Sequence, residues 1–336
     1  MRTASSGNDN GIAGDGGNKN WEAVADWNRK RSGRLADDIF PEWHLHTIVG
    51  RNYRPQGHHF MILVMAVDIL INVMAIFLER NFRMYHSTID LNCDLGEGMP
   101  TDAAIIPFIS SANIACAYHA GDERIMKQTV ATCLVHGVAI GAHPGFADRA
   151  HFGRIEMNLE SDQAYYDLIT SQLEIMQKVV KSEGATLHHV KPHGALYNMS
   201  ARMPWLAAII AKAVHDFDSS LVLFGLAGSH SVFAAEAIGL KVVHEFFADR
   251  TYQPDGTLTP RSQANALIAD EALAVQQALV IAGRHQVQAV DGTVVNPMLQ
   301  EGNVSICLHG DGDHAVTFAQ LISQSLKTAG FSIAAA

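Results

Sequence analysis

The chain has 336 residues, 48% of them apolar, enough for one large domain with an appendage, or for two domains, around a sizeable core. A formal charge of −10 without any cluster of Lys and Arg argues against a nucleic-acid binder, because phosphate contacts need concentrated cations. Cys93, Cys116, Cys133 and Cys307 form no Cys-x-x-Cys pair, so neither a zinc ribbon nor a disulfide framework is indicated, and reduced thiols in the cytoplasm are expected.

Residues 1–20 are Gly, Asn, Ser and Asp with little to bury, and disorder is expected there. Residues 21–55 are mixed and carry no assignable function. Residues 60–78 are apolar except for Asp68 and Asn72, a length that just crosses a hydrocarbon core. Roughly a dozen Leu, Ile, Val and Phe at about −0.3 to −0.6 kcal/mol each oppose about +3 kcal/mol for a central Asp, so insertion is marginal. Three readings stay open: a membrane association, a helix packed on the domain or on a second copy through its Asp68, Asn72, Ala75 and Glu79 stripe, or an initiator at Met84. A signal peptide is not indicated, since the run lies deep in the chain. The expected organisation is an extension over 1–83 and a catalytic domain over 84–336.

From residue 87 a strand and helix grammar repeats. A strand over 89–93 leads to a short helix over 102–109, and a second strand over 113–117 leads to a helix over 124–135 with Gly137 as its left-handed C-terminal residue. A third strand spans 138–142; Ser161 caps a long helix to Ser182. Strand four covers 186–190, followed by a helix over 205–215, strand five over 221–226, a helix closing at Gly239 and strand six over 241–247. A helix over 263–282 is followed by a hairpin over 287–295, with Asp291-Gly292 suited to a two-residue turn. Strand seven covers 304–308, a last helix reaches Lys327, and residues 331–335 add a short eighth strand. Apolar strands alternating with helices predict a parallel sheet. Polar clusters after nearly every strand favour an irregular seven- or eight-stranded β/α barrel with its site at the C-terminal rim, over an open sheet with one switch point.

Strand by strand, that rim collects Asn92, Asp94 and Glu97, then His119 and Asp122, His143, Lys191 and His193, Asp249 and Arg250, and finally His309, Asp311 and Asp313. Each has a bland alternative, since a lone His after a strand often caps a loop and Asp249-Arg250 most simply form a local ion pair. Four histidines at equivalent positions argue together. Carboxylates mixed with histidines permit general acid and base attack of water on a carbonyl, and also permit a divalent metal. No close-spaced His and Glu pair exists, so any metal ligands have to converge from different strands, and no metal is assigned. Neither a phosphate-binding Gly-rich loop ending in Lys-Ser/Thr nor a complete Gly-x-Gly-x-x-Gly is present.

Several stretches resemble the LamB/YcsF family: Ile-Asp-Leu-Asn-Cys-Asp-Leu-Gly-Glu-Gly from Ile89, Ser-Ala-Asn-Ile-Ala-Cys-Ala-Tyr-His-Ala-Gly-Asp from Ser111, Gly-Ala-His-Pro-Gly-Phe-Ala-Asp-Arg from Gly141 and His-Val-Lys-Pro-His-Gly-Ala-Leu-Tyr-Asn from His189. Phe-Ala-Asp-Arg-Thr-Tyr from Phe247, Pro-Arg-Ser from Pro260 and Cys-Leu-His-Gly-Asp-Gly from Cys307 continue it in unbroken order. Ala117 and Gly145 stand where the family usually has Gly and commonly Ser. The resemblance implies a barrel related to glycoside hydrolases and deacetylases. It also implies a 5-oxoprolinase activity: opening of 5-oxo-L-proline to L-glutamate coupled to ATP hydrolysis, with Mg²⁺ entering through the assembled complex and subunits B and C as partners.

On that reading Asp94 and Glu97 are the leading acid or base candidates, and His119, His143, His193 and His309 share proton transfer or polarisation. Asn92, Asp122, Lys191, Asp249, Arg250 and Asp311 bind substrate, Lys191 and Arg250 gripping its carboxylate or phosphate. The rivals are a metal-dependent carbohydrate deacetylase-like hydrolase and a non-catalytic substrate-binding subunit. The expected location is cytoplasmic, or membrane-associated if residues 60–78 anchor the chain.

Overall fold

The computed structural model describes residues 88–297, 299, 303–309 and 315–336. The extension over 1–83, its apolar run 60–78, and Asp311 and Asp313 lie outside the described residues. Among the described residues no helix is long and apolar enough to cross a membrane.

The first six strands are β1 (Thr88–Leu95), β2 (Ser111–Ala115), β3 (Ala139–His143), β4 (His189–Val190), β5 (Val222–Leu226) and β6 (Lys241–Phe247). A small hairpin, β7 (Val287–Gln288) with β8 (Val294–Val295), precedes β9 (Asn303–His309) and β10 (Ser332–Ile333). Strands β1 to β6 pair in sequence order and in parallel, and β9 closes the cylinder by pairing with both β6 and β1. The barrel therefore has seven strands. The expected eighth, β10, pairs only with Thr88 and Ile89 at the start of β1 and takes no part in closure.

Helices α1 (Asp102–Ile105), α2 (Glu123–His136), α3 (Asp162–Ser182), α4 (Gly194–Arg202), α5 (Pro204–Phe217), α6 (His230–Ala237), α7 (Glu271–Arg284) and α8 (Ala315–Thr328) occupy the connections. Their sequence logic is local. In α3, Tyr165, Ile169, Leu173, Met176 and Val180 recur at helical spacing and are buried, while the Ser161 side chain accepts a hydrogen bond from the Ala164 N–H at the start. Gly137 ends α2 in the left-handed conformation at φ 68°, as its position predicts.

Four expectations need correction. The helix over 102–109 breaks into α1 and a 3-10 turn, Ile106–Phe108, where Pro107 supplies no N–H. The helix expected from 263 begins only at Glu271. Leu267 instead bridges antiparallel to Arg250: Thr251 N–H donates to the Ala266 carbonyl at 3.1 Å and Ile268 N–H to the Asp249 carbonyl at 2.8 Å. Asp270 then caps α7 by accepting from the Ala272 and Leu273 N–H groups. Helix α4 is an addition to the expected elements, its signal hidden because Gly194 opens it and Pro204 follows it closely. In the hairpin, Ala289 N–H donates to the Thr293 carbonyl at 2.8 Å, so the loop holds three residues, not two.

The lower barrel interior is polar. Asp90 accepts from the hydroxyls of Ser110 at 2.5 Å, Ser111 at 2.7 Å and Ser305 at 2.6 Å, drawing β1, the start of β2 and β9 together. Burial nevertheless pushes the Asp90 carboxyl above its usual range, against those hydroxyls. Asp90→Ala leaves three buried hydroxyls without their acceptor and is expected to cost about 2–4 kcal/mol in urea unfolding. Asp90→Asn, which keeps an acceptor oxygen, is expected to cost less; equal losses would show that the serines do not depend on that oxygen.

Candidate active site

All seven barrel strands run the same way, so their C-terminal ends share one rim. Register then sets which side chains meet: Asp94 lies beside Asn113 on one side and His309 on the other, and Ala115 lies beside His143. The rim opens into a cavity of ≈ 620 Å³ lined by Asp94, Glu97, His143, Lys191, His193 and His309.

Lys191, 2% exposed, enters the barrel axis from the end of β4. Its ammonium lies 2.9 Å from Asp94 Oδ1, 2.7 Å from Glu245 Oε1, 3.2 Å from Asn92 Oδ1 and 3.0 Å from Cys307 Sγ. Burial alone disfavours the cation, but Asp94 and Glu245 outweigh it and hold Lys191 well above its ordinary value. Burial likewise pushes the Asp94 carboxyl up, and His143 and Lys191 overcome that to hold it well below the usual carboxylate range. Asp94 is thus a carboxylate and Lys191 an ammonium. Burial raises the Cys307 thiol well above its ordinary value, which keeps it neutral.

Above that layer stand three histidines and Glu97. His143 Nδ1 donates to the Lys191 carbonyl at 2.7 Å, and His193 Nε2 donates to the Phe152 carbonyl at 2.8 Å. The other two nitrogens, His193 Nδ1 and His143 Nε2, face each other at 2.9 Å. His119 stacks on His193 with ring centroids 3.8 Å apart and planes 2° from parallel. Glu97 Oε1 is 3.5 Å from both His119 Nε2 and His193 Nδ1. Burial, reinforced by the neighbouring His143, brings His119 down to about 3, and burial with His143 and His119 holds His193 well below its ordinary value. Phe152 holds its carbonyl in place from a left-handed backbone at φ 57°, a strained conformation for an aromatic residue.

Of the sequence-derived candidates, Asp94, Glu97, His143, Lys191, His193, Arg250 and His309 line the cavity, while His119 lies under His193 and Asn92 beneath Asp94. Asp249 stands one step behind the lining, its Oδ2 accepting from His309 Nδ1 at 2.7 Å. The expected local Asp249–Arg250 pair therefore gives way. Arg250 donates from Nε to the Ala266 carbonyl at 3.2 Å and from Nη2 to the Thr259 carbonyl at 2.6 Å, fixing the loop that walls the cavity. Asp122 is also corrected: it is exposed and caps α2, accepting from the Ile125 N–H at 2.8 Å. That role is readable in the sequence, since an Asp directly before a helix is a common cap.

Several contributors escape the sequence reading. Glu245 carries a visible signal, a lone acid inside the apolar strand β6. Tyr197 arrives on the additional helix α4, and Arg154, Arg202 and Arg261 converge on the cavity from loops and helix ends. His188 and His189, expected to point to opposite faces, do not separate: β4 begins only at His189, and the two Nδ1 atoms lie 3.2 Å apart, while His189 Nε2 is 2.9 Å from Asn113 Oδ1 inside the barrel. Lys191→Met strands Asp94 and Glu245 as buried carboxyls and is expected to cost about 3–5 kcal/mol in chemical unfolding. Adding Glu245→Gln should recover at least about 1 kcal/mol of that loss; strictly additive costs would show the pair to be uncoupled.

With the geometry in place, comparison with known proteins is informative. The LamB/YcsF family profile matches residues 89–336. A protein of Brevibacillus brevis named as the A subunit of 5-oxoprolinase is 50% identical over 253 residues, covering 74% of this chain and 98% of that one. One of the same name from Bordetella pertussis is also 50% identical over 253 residues, with the same coverage. Among solved structures, the lactam utilization protein from Thermus thermophilus superimposes with a TM-score of 0.67 at 37% identity, covering 74% of this chain and 100% of that one.

Proposed function

The chain belongs to the LamB/YcsF family, and on that premise we propose that it is the ring-opening subunit of an ATP-hydrolysing 5-oxoprolinase. The observation that carries this reading is the 50% identity across 98% of a relative bearing the name of that enzyme's A subunit. The substrate is 5-oxo-L-proline, the product L-glutamate, and subunits B and C complete the assembly through which ATP and Mg²⁺ enter. Four buried free cysteines among the described residues suit a reducing cytoplasm.

The chemistry asks for particular groups, and the cavity offers them. A lactam is a poor electrophile; transfer of a phosphoryl group from ATP to its oxygen makes that oxygen part of a leaving group. Arg154, Arg202 and Arg261 around the cavity suit both the substrate carboxylate and such a phosphate. Asp94, held ionised, takes the proton of the attacking water. Lys191, held cationic 2.9 Å away, stabilises the negative charge of the phosphorylated oxygen in the adduct formed when water adds to the lactam carbon. Cleavage of the C–N bond then leaves an acyl phosphate, which a second water hydrolyses to L-glutamate and inorganic phosphate.

The departing ring nitrogen needs a proton. His309 lines the cavity and its ring is oriented by Asp249, whose Oδ2 lies 2.7 Å from Nδ1, so it is the donor. His119 and His193, kept neutral by burial, do not suit that task. Asn92 and Asn113 hold Asp94 and Lys191 in register, Asn113 Nδ2 donating to Asp94 Oδ1 at 2.9 Å.

The deciding measurement is ATP-dependent glutamate release from 5-oxoproline by the assembled complex with and without this chain. Release is expected only with it, and Asp94→Asn is expected to lower kcat by roughly 10²–10⁴-fold while substrate binding persists. Undiminished turnover in Asp94→Asn would assign the base elsewhere. Undiminished turnover without the chain would reject the proposal.

A further inference from the structure

The contact between His143 and His193 is chemically incomplete. A backbone carbonyl only accepts, so the bond from His143 Nδ1 to the Lys191 carbonyl places a hydrogen on Nδ1 and, in the neutral imidazole, leaves Nε2 with a lone pair. By the same argument the bond from His193 Nε2 to the Phe152 carbonyl leaves a lone pair on Nδ1. Those two lone pairs confront each other at 2.9 Å. Two acceptors at that distance repel unless something electropositive lies between or beside them.

A third imidazole adds to the anomaly. His119 is 1% exposed, and neither ring nitrogen has a hydrogen-bond partner. Its Nε2 lies 3.5 Å from Glu97 Oε1, which is also 3.5 Å from His193 Nδ1. One ligand atom from each of Glu97, His119, His143 and His193 falls within 4.8 Å of the others. Bonds of 2.0–2.1 Å from a tetrahedral zinc-like centre put neighbouring ligand atoms about 3.4 Å apart, and the separations of 2.9 and 3.5 Å bracket that edge.

We propose that Glu97, His119, His143 and His193, delivered by the ends of the first four barrel strands, form a binding site for one divalent transition-metal ion of the zinc class. Three borderline imidazoles, outnumbering one hard carboxylate, favour Zn²⁺ or Co²⁺ over Mg²⁺ or Ca²⁺. The outer contacts of the site follow the usual arrangement, two of the imidazoles being fixed through their second nitrogen by a backbone carbonyl. Gly145 leaves the space the cluster needs: a Cβ there would lie 2.7 Å from His119 Nδ1 and 3.2 Å from His193 Cβ. The ion would sit at the edge of the cavity beside Asp94, whose Oδ2 is 3.3 Å from His143 Nε2. This assignment does not depend on which substrate the cavity takes, because occupancy is read on the protein itself.

The test uses the untagged full-length chain, stripped with a chelator and reloaded separately with Zn²⁺ and Co²⁺ before gel filtration. Retention of about one metal per chain is expected, with Co²⁺ giving the intense visible absorption of a low-coordinate site. Glu97→Gln and His143→Ala should each weaken retention at least about tenfold, whereas His215→Ala, at a half-buried histidine outside the cluster, should not. Where His143→Ala fails to fold, the wild-type Co²⁺ spectrum and the milder Glu97→Gln variant still decide. Negligible retention, or retention unchanged in Glu97→Gln, would overturn the assignment. A pair sharing a proton instead would show neither metal nor spectrum and would equally reject it.

Discussion

The ammonium of Lys191, enclosed on the axis of a closed barrel, is the constraint on which the rest of the molecule turns. A lone charge in such a place costs several kcal/mol, so the site exists only because carboxyls from other strands meet it. Asp94 comes from β1, Glu245 from β6 and the Cys307 thiol from β9, all within 3.0 Å of one nitrogen. A shift of one residue in any of these strands would turn its member outward and leave charge unmatched. The ion network therefore specifies the register at the same time as it sets the chemistry.

That axis is built in layers. Lowest is Asp90 with its three serine hydroxyls, a neutralising cradle of hydrogen bonds. In the middle, Asn92 and Asn113 connect the floor to Lys191 and Asp94, Asn92 Nδ2 donating to Ser305 Oγ at 2.6 Å and Asn113 Nδ2 to Asn92 Oδ1 at 2.8 Å. Above lie Glu97 and the three histidines, and around them the arginines. Polar groups thus run from floor to rim, and each layer is bonded to the one above it. His143 shows the linkage most directly, since its ring is anchored by the carbonyl of Lys191 and touches the carboxylate that Lys191 neutralises.

This convergence comes with local strain. Ala117 and Phe152 both adopt left-handed backbone conformations, at φ 67° and 57°, in the loops that carry His119 and the Phe152 carbonyl. Such conformations cost roughly 1–2 kcal/mol for residues with a side chain. They turn the chain sharply enough to bring His119 under His193, and the Phe152 ring lies edge-on against both. A site assembled by four different strand ends needs such turns, because no single element can present all of its groups.

The amino-acid sequence by itself determined what nearest neighbours decide: the alternation of apolar strands with helices, the Ser161 cap, the Gly137 stop and the placement of polar residues at strand ends. Those features follow from backbone preferences and periodicities spanning a few residues, and they suffice to infer a parallel barrel with a polar rim. Tertiary structure alone decided which polar residues share a cavity. It took Asp122 away to cap a helix, turned Arg250 onto the backbone of a loop, bridged Leu267 to Arg250, and drew Glu245 out of an apolar strand to meet Lys191. It also brought three imidazoles and Glu97 together without any close spacing in sequence. The reason is that closing seven strands into a cylinder fixes distances between residues far apart along the chain, and no local pattern encodes those distances.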